Sequence, residues 1–131
     1  MTEIEIVRAY VDAFNAGDWD RIRPLFTSDA VIRGVLGWGS LDVALPVWRE
    51  LHEGMSARLE IEALIHSGQD VVARFVETGT FIGSFRGLAD KVPTGKPYEV
   101  VAMEWFEFSG GLIARRWGAR DFAAITRQVL G

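Results

Sequence analysis

Residues 98–121 read YEVVAMEWFEFSGGLIARRWGARD, and their periodicity decides the fold. Tyr98, Val100, Ala102, Glu104, Phe106 and Phe108 alternate with Glu99, Val101, Met103, Trp105 and Glu107. Successive side chains of a strand point to opposite faces, so each set lines one side. Gly110-Gly111 supplies the residues of a tight hairpin, and Leu112 to Arg120 is the returning strand. Five of the six residues in the first row are apolar or aromatic, which marks that row as the inner face and turns Glu104 inward. The competing reading puts Val101, Met103 and Trp105 inside and leaves Glu104 in water. An inward carboxyl is costly unless paired or neutral. Burial would raise its pKa and suit it to donate a proton near neutral pH.

The partner of Glu104 depends on the hairpin register. A three-residue loop at Gly110 to Leu112 pairs Ser109 with Ile113, sets Glu104 opposite Gly118, and puts Arg116 diagonal to Glu104 on the same face. There the arginine would lower the carboxyl pKa and make it a base or an anchor. A two-residue turn would put Arg115 and Trp117 there instead.

Outward from this hairpin, the alternation continues upstream. Leu59, Ile61, Ala63 and Ile65 alternate with Arg58, Glu60, Glu62 and His66, His66 to Asp70 turns the chain, and Val71 to Phe81 is the next strand. Gly83 to Pro97 is a long connection. Ala30 to Val35 is a short strand, followed by a loop, Gly34 to Ser40, that carries Trp38 among three glycines. Helical spacing appears at residues 3–16, with Ile4, Val7, Val11 and Phe14 on one stripe. Thr2 and Glu5 fit a capping box there, and Gly17 fits its stop. Asp18 caps a short second helix. Pro46 to Met55 is a third, with Pro46 in its first turn, and Asp121 opens the last, carrying Phe122, Ile125 and Val129. The order implies an α+β fold: helices against one face of a curved antiparallel sheet, enclosing a cavity.

The chain has 131 residues, which is one domain, 1–131. A net charge of −4 offers no basic face to a phosphate backbone, so nucleic acid is not an expected partner. Cysteine is absent, which removes disulfides, thiolate metal sites and cysteine nucleophiles. No apolar run is long enough for a membrane span, and the start does not read as a signal peptide, so the cytoplasm is the expected compartment. The two histidines, His52 and His66, stand near no carboxylate at a ligand spacing, so neither a metal nor another cofactor is expected. Arginine outnumbers lysine twelve to two, which suggests a bacterial source.

Tyr10-Val11-Asp12-Ala13-Phe14-Asn15-Ala16-Gly17-Asp18 resembles the first helix and turn of the nuclear-transport-factor-2-like superfamily, which includes the ketosteroid isomerases. Gly79 to Gly83, Pro93-Thr94-Gly95-Lys96-Pro97, the Gly-rich hairpin, and Trp117 followed by Asp121 and Arg127 to Gly131 resemble its SnoaL-like polyketide cyclase branch. The resemblance spans essentially the whole chain. It implies a cone-shaped barrel with an apolar cavity, and a homodimer packed through the outer sheet face. The cyclases' paired His and Asp fall on Glu104 and Gly118, with a recurrent Asp on Asp121. Limonene epoxide hydrolases are similar around Pro93-Thr94-Gly95, and one of their acids also falls on Gly118. The isomerases' oxyanion Tyr and strand Asp fall on Tyr10 and Glu104, and their base near Gly34. Each known mechanism thus lacks at least one residue here.

These readings combine into a candidate site. Glu104 would shuttle a proton, Tyr10 or Arg116 would steady an enolate oxygen, and Asp121 is a further acid that also suits a helix cap. Trp38, Trp48, His52, Phe81, Phe85, Phe106 and Gly118 would line the pocket. Arg86 and Lys91 would meet a ligand carboxylate or phenolate, or else solvent. The expected function is cofactor-free acid/base chemistry beside a carbonyl of a small hydrophobic ring compound: cyclisation, isomerisation or dehydration. The alternatives are a non-catalytic binding module, a dimeric interaction module and an epoxide hydrolase-like enzyme.

Overall fold

The computed structural model describes all residues, Met1–Gly131. Helix α1 (Glu3–Ala16) begins at Thr2, whose side chain accepts from the Glu5 amide while Glu5 returns a bond to the Thr2 amide. It ends at Gly17, which takes a left-handed φ of 66°. Helix α2 (Trp19–Ile22) is short and runs into a 3-10 turn at Arg23–Leu25. Strand β1 (Phe26–Gly34) starts earlier than its periodicity suggests.

The glycine-rich stretch is not all loop. Gly37–Ser40 forms strand β2, which pairs antiparallel with β1 and sets Trp38 opposite Arg33. The Arg33 guanidinium lies 4.6 Å from the Trp38 ring centre, a cation–π contact that offsets the low strand preference of glycine. Helix α3 (Leu41–Met55) begins five residues before Pro46, which therefore lies inside it. Pro46 and Asp42 are both exposed, so the Asp42 carbonyl left without its helical partner can meet water.

Strands β3 (Arg58–Ser67), β4 (Asp70–Thr80), β5 (Pro97–Ser109) and β6 (Leu112–Arg120) follow, and helix α4 (Phe122–Leu130) closes the chain. The sheet order is β2-β1-β6-β5-β4-β3. All neighbours are antiparallel except β1 and β6, which run parallel. The α+β expectation holds, with one parallel pair joining residues far apart in sequence.

Two bulges correct the predicted faces. In β3 the register shifts between Ile61 and Ala63, so Glu62 is extra and Leu64, not Ile65, packs on the core. Ile65 is exposed as a result. In the last hairpin the turn is the two-residue one: Ser109 pairs with Leu112, with Gly110 and Gly111 at φ 58° and 82°. A bulge at Ala114 then inserts one residue, so Glu107 pairs with Arg115 and Glu104 with Gly118. The short turn plus the bulge reach the register expected of the longer loop, with Arg116 on the inner face.

The core has two parts. The larger packs α1, α3 and β1 on the inner face of the sheet, through residues such as Tyr10, Phe14, Trp48 and Phe106. The smaller holds Met55, Phe81, Phe85, Leu88, Tyr98, Ile125 and Val129 under α4. No helix is long and apolar enough to cross a membrane.

Candidate active site

A cavity of about 240 Å³ lies between the sheet and helices α1, α3 and α4, and is lined by residues of both core parts. Most of its wall is apolar. Its polar floor is built by strand parity. On β4 the inner row is Val71, Ala73, Phe75 and Glu77, all buried. On β5 it is Tyr98, Ala102, Glu104 and Phe106, all buried. On β6, Arg116, Gly118 and Arg120 share one row, and Glu104, Arg116, Arg120 and Glu77 all reach the cavity.

Glu104 is 2% exposed. Its Oε1 accepts from the Tyr10 hydroxyl at 2.9 Å and from Arg116 Nε at 3.1 Å. Its Oε2 lies 2.8 Å from Arg116 Nη2 and accepts from Arg120 Nη2 at 3.1 Å. Arg120 also donates through Nε to Glu77 Oε1 at 2.7 Å, and the Tyr98 hydroxyl donates to Glu77 Oε2 at 2.8 Å. Two carboxylates and two guanidiniums thus neutralise one another, with a tyrosine closing each end. Small residues make this possible. Ala102, on the strand between Glu77 and Arg120, leaves Arg120 room to cross β5. Gly118, opposite Glu104, has the Arg116 guanidinium where a side chain would begin, 2.6 Å from an added Cβ. Arg116 also stacks 5.4 Å from the Trp48 ring centre, and its Nη1 donates to the Arg33 carbonyl.

Burial pushes the Glu104 carboxyl up, but the charges of Arg116 and Arg120 and the hydrogen bonds from Arg116 and Tyr10 outweigh it and hold it below the usual carboxylate range. With Arg116 on the same face, Glu104 follows the expectation of a lowered pKa rather than that of a raised one. Burial, chiefly, raises the Tyr10 phenol. Its proton is committed to Glu104, so Tyr10 is not free to hold a ligand oxygen.

The sign of the acid response follows. A carboxyl whose folded pKa is depressed below its ordinary value of 4.5 stabilises the fold above that pH, and this is lost as pH falls through the folded value. The wild type will lose urea resistance below about pH 4.5 more steeply than Glu104→Gln does. The half-buried Glu50, held low chiefly by its hydrogen bond with Arg86, responds in the same sense in both proteins.

The other expected site residues separate. Trp38, 68% exposed, stands at the rim, and Trp48 and Phe85 line the wall. Phe106 and Phe81 lie outside the lining: Phe106 packs behind Tyr10 with ring centres 5.3 Å apart, and Phe81 is buried in the smaller core. His52 also lies outside. Its ring packs on Gly17 and Trp19, and Nε2 lies 3.2 Å from the Asn15 carbonyl. Asp121 is exposed and caps α4 through the Ala124 amide at 3.0 Å, which takes it away from the cavity. Arg86 borders the cavity, but its guanidinium is paired with Glu50. Lys91 is paired loosely with Asp90 at 3.8 Å. No three His, Asp or Glu side chains gather as metal ligands would.

Sequence reasoning missed Glu77 and Arg120 and gave Tyr98 no role. The signal was available: each sits at inner-row parity on a strand whose other members on that row are mostly apolar or small.

The order of elements, the sheet with its enclosed cavity and the helices on one face are those of nuclear-transport-factor-2-like proteins. Among solved structures, a candidate polyketide cyclase from Streptomyces antibioticus, IdmH, superposes with a TM-score of 0.84 at 23% identity, covering 98% of each chain. A candidate polyketide cyclase from Pseudomonas putida KT2440 gives 0.82 at 24% identity, again covering 98% of each chain. A candidate hydroxylase from Streptomyces galilaeus, AclR, gives 0.82 at 19% identity, covering 95% of this chain and 92% of that one. The SnoaL-like domain profile matches residues 7–116, and the chain belongs to that family. No curated protein matches it.

Proposed function

We propose that the chain binds a small hydrophobic, ring-containing molecule in the cavity and moves a proton beside its carbonyl group without a cofactor. Cyclisation, isomerisation and dehydration are the reactions this covers. One observation carries the reading: a mostly apolar cavity ends on a neutralised floor of two carboxylates and two guanidiniums. Its volume of about 240 Å³ lies below the roughly 300–1,000 Å³ typical of ligand pockets, which favours one or two fused rings. Fixed donors in a dry site can steady a developing enolate without reorganising. The relatives described as candidate polyketide cyclases support the same chemistry. Because Glu104 is ionised, the floor accepts a proton rather than giving one in the first step.

A second reading, binding without turnover, is favoured by the double contacts on both oxygens of Glu104. Two-ring ketones and phenols at saturation will raise the melting temperature by about 3–6 °C. Open-chain ketones of equal carbon number will not. No shift with any ring compound removes the ligand reading. Binding with no turnover leaves the second reading in place.

A second copy of this chain is the proposed macromolecular partner, and the cytoplasm the proposed compartment. The outer row of β5 exposes Val101, Met103 and Trp105 at 53%, 49% and 47%, with Trp117 opposite Trp105. Contiguous exposed apolar surface of this kind marks an interaction face. Trp105→Glu will shift the mass measured by light scattering from dimer to monomer, with ring-ligand stabilisation retained. A wild type that is monomeric at high concentration overturns the dimer.

A further inference from the structure

The charged floor does not use its groups evenly. A carboxylate offers about four lone-pair sites. All four are engaged at Glu104, where each oxygen has two donors within 3.1 Å. Glu77 differs. Arg120 Nε and Nη2 both lie 2.7 Å from its Oε1, while its Oε2 accepts one hydrogen bond, from Tyr98. Arg120 also has capacity left. Its Nε and Nη2 are bonded, but Nη1 makes no hydrogen bond. The only fully buried side-chain polar atom without a partner is Thr27 Oγ1, so Arg120 Nη1 keeps accessible surface. Glu77 and Arg120 both line the cavity.

We propose that Glu77 and Arg120 are the reacting pair. Arg120 Nη1 holds the carbonyl oxygen of a ring ketone, and Glu77 Oε2 takes a proton from the adjacent carbon. The inference rests on the proposed function above and names the groups that perform it. As the C–H bond breaks, its electron pair forms the carbon–carbon double bond, and the carbonyl π pair moves onto the oxygen facing Arg120. The proton on Glu77 exchanges with solvent, so that a solvent-derived proton, a deuteron in D2O, is delivered to the same carbon or to a conjugated one. Glu104 and Arg116 are positioning residues: Glu104 Oε2 holds Arg120 Nη2 and so aims Nη1. Tyr98 is a positioning residue for Glu77.

The probe is 2-tetralone, a two-ring ketone with mobile protons beside its carbonyl. Its deuterium uptake in D2O is followed by proton NMR, and its binding by quenching of tryptophan fluorescence. The full-length wild type will accelerate uptake over buffer. Glu77→Gln will lose about 100-fold or more of that rate, with binding changed by less than about threefold. Arg120→Lys will lose about tenfold or more. Tyr98→Phe will lower the exchange rate at saturating 2-tetralone by about tenfold, with the concentration for half-maximal rate changed by less than about threefold. A purely structural tyrosine would leave the rate at saturation unchanged. Wild-type rate in Glu77→Gln, or wild type that binds 2-tetralone without exchanging it, overturns this assignment and leaves the cavity reading standing. Failure of the wild type to bind overturns both. Should Glu77→Gln not fold, a wild-type exchange rate in Tyr98→Phe overturns it.

Discussion

Glu104→Leu will lower the free energy of unfolding by about 3–5 kcal/mol, the range for removing one partner of a buried ion pair. The loss is of this size because Arg116 stays behind. Its guanidinium, 3% exposed as a residue, would keep only the Arg33 carbonyl at 3.4 Å and the face of Trp48. Tyr10 would also lose the acceptor of its buried hydroxyl. Arg120 fares better, because Glu77 still holds it. Urea midpoints with an unchanged m-value will read the loss as stability rather than as altered compactness. Glu104→Leu with Arg116→Met will recover much of it, since removing both charges deletes the desolvation cost together with the attraction. A double variant no more stable than the single one would mean that Arg116 is not the group left uncompensated.

The pairing behind that prediction was only partly legible in the sequence. Tyr98 to Phe108 keeps period two without interruption, so the inward face of Glu104 could be read from one strand alone. The caps at Thr2, Gly17 and Asp121 were local and could be read for the same reason. The partners of Glu104 lie on other strands, and their positions depend on bulges that composition does not mark. Ala114 restores the register that the two-glycine turn removes. Glu62 reverses the face of β3 halfway along. Glu77 and Arg120 escaped because β4 also carries Asp70 and Arg74, and β6 Arg115 and Arg116, so that charge alone marks neither as inward and only parity does. Only a register spanning β4, β5 and β6 brings them together across Ala102. The β1–β6 pair was hidden for a related reason: parallel pairing joins residues whose contact no local pattern encodes. Residue type makes His52 a site candidate and the family resemblance makes Asp121 one, but helix geometry gives both to structural bonds.

Gly118→Ala will disturb the floor nearly as much as removing a charge, although it adds one methyl group. The added Cβ would stand 2.6 Å from Cζ, Nη1 and Nη2 of Arg116 at once. The guanidinium has to retreat by roughly 1 Å to reach ordinary contact, more than a charge-assisted bond of about 2.7–2.9 Å tolerates. The contact of Arg116 Nη2 with Glu104 Oε2, now 2.8 Å, would be lost first. The expected cost lies between overpacking, about 1–3 kcal/mol, and a fully broken buried pair, about 3–5 kcal/mol. Gly34→Ala is the control. Its Cβ would meet Arg116 Nη1 at 3.6 Å, an ordinary contact, and should cost little. In an Arg116→Met background the Gly118→Ala penalty should shrink, and a double-mutant cycle will report coupling of about 1 kcal/mol or more. With Arg116 displaced, Glu104 also loses the nearer of its two counter-charges, so its carboxyl moves back up toward 4.5 and the acid-linked part of stability shrinks. Additive penalties would show that the glycine is not there to seat the arginine. Coupled ones would show that position 118 holds no side chain because the space belongs to Arg116.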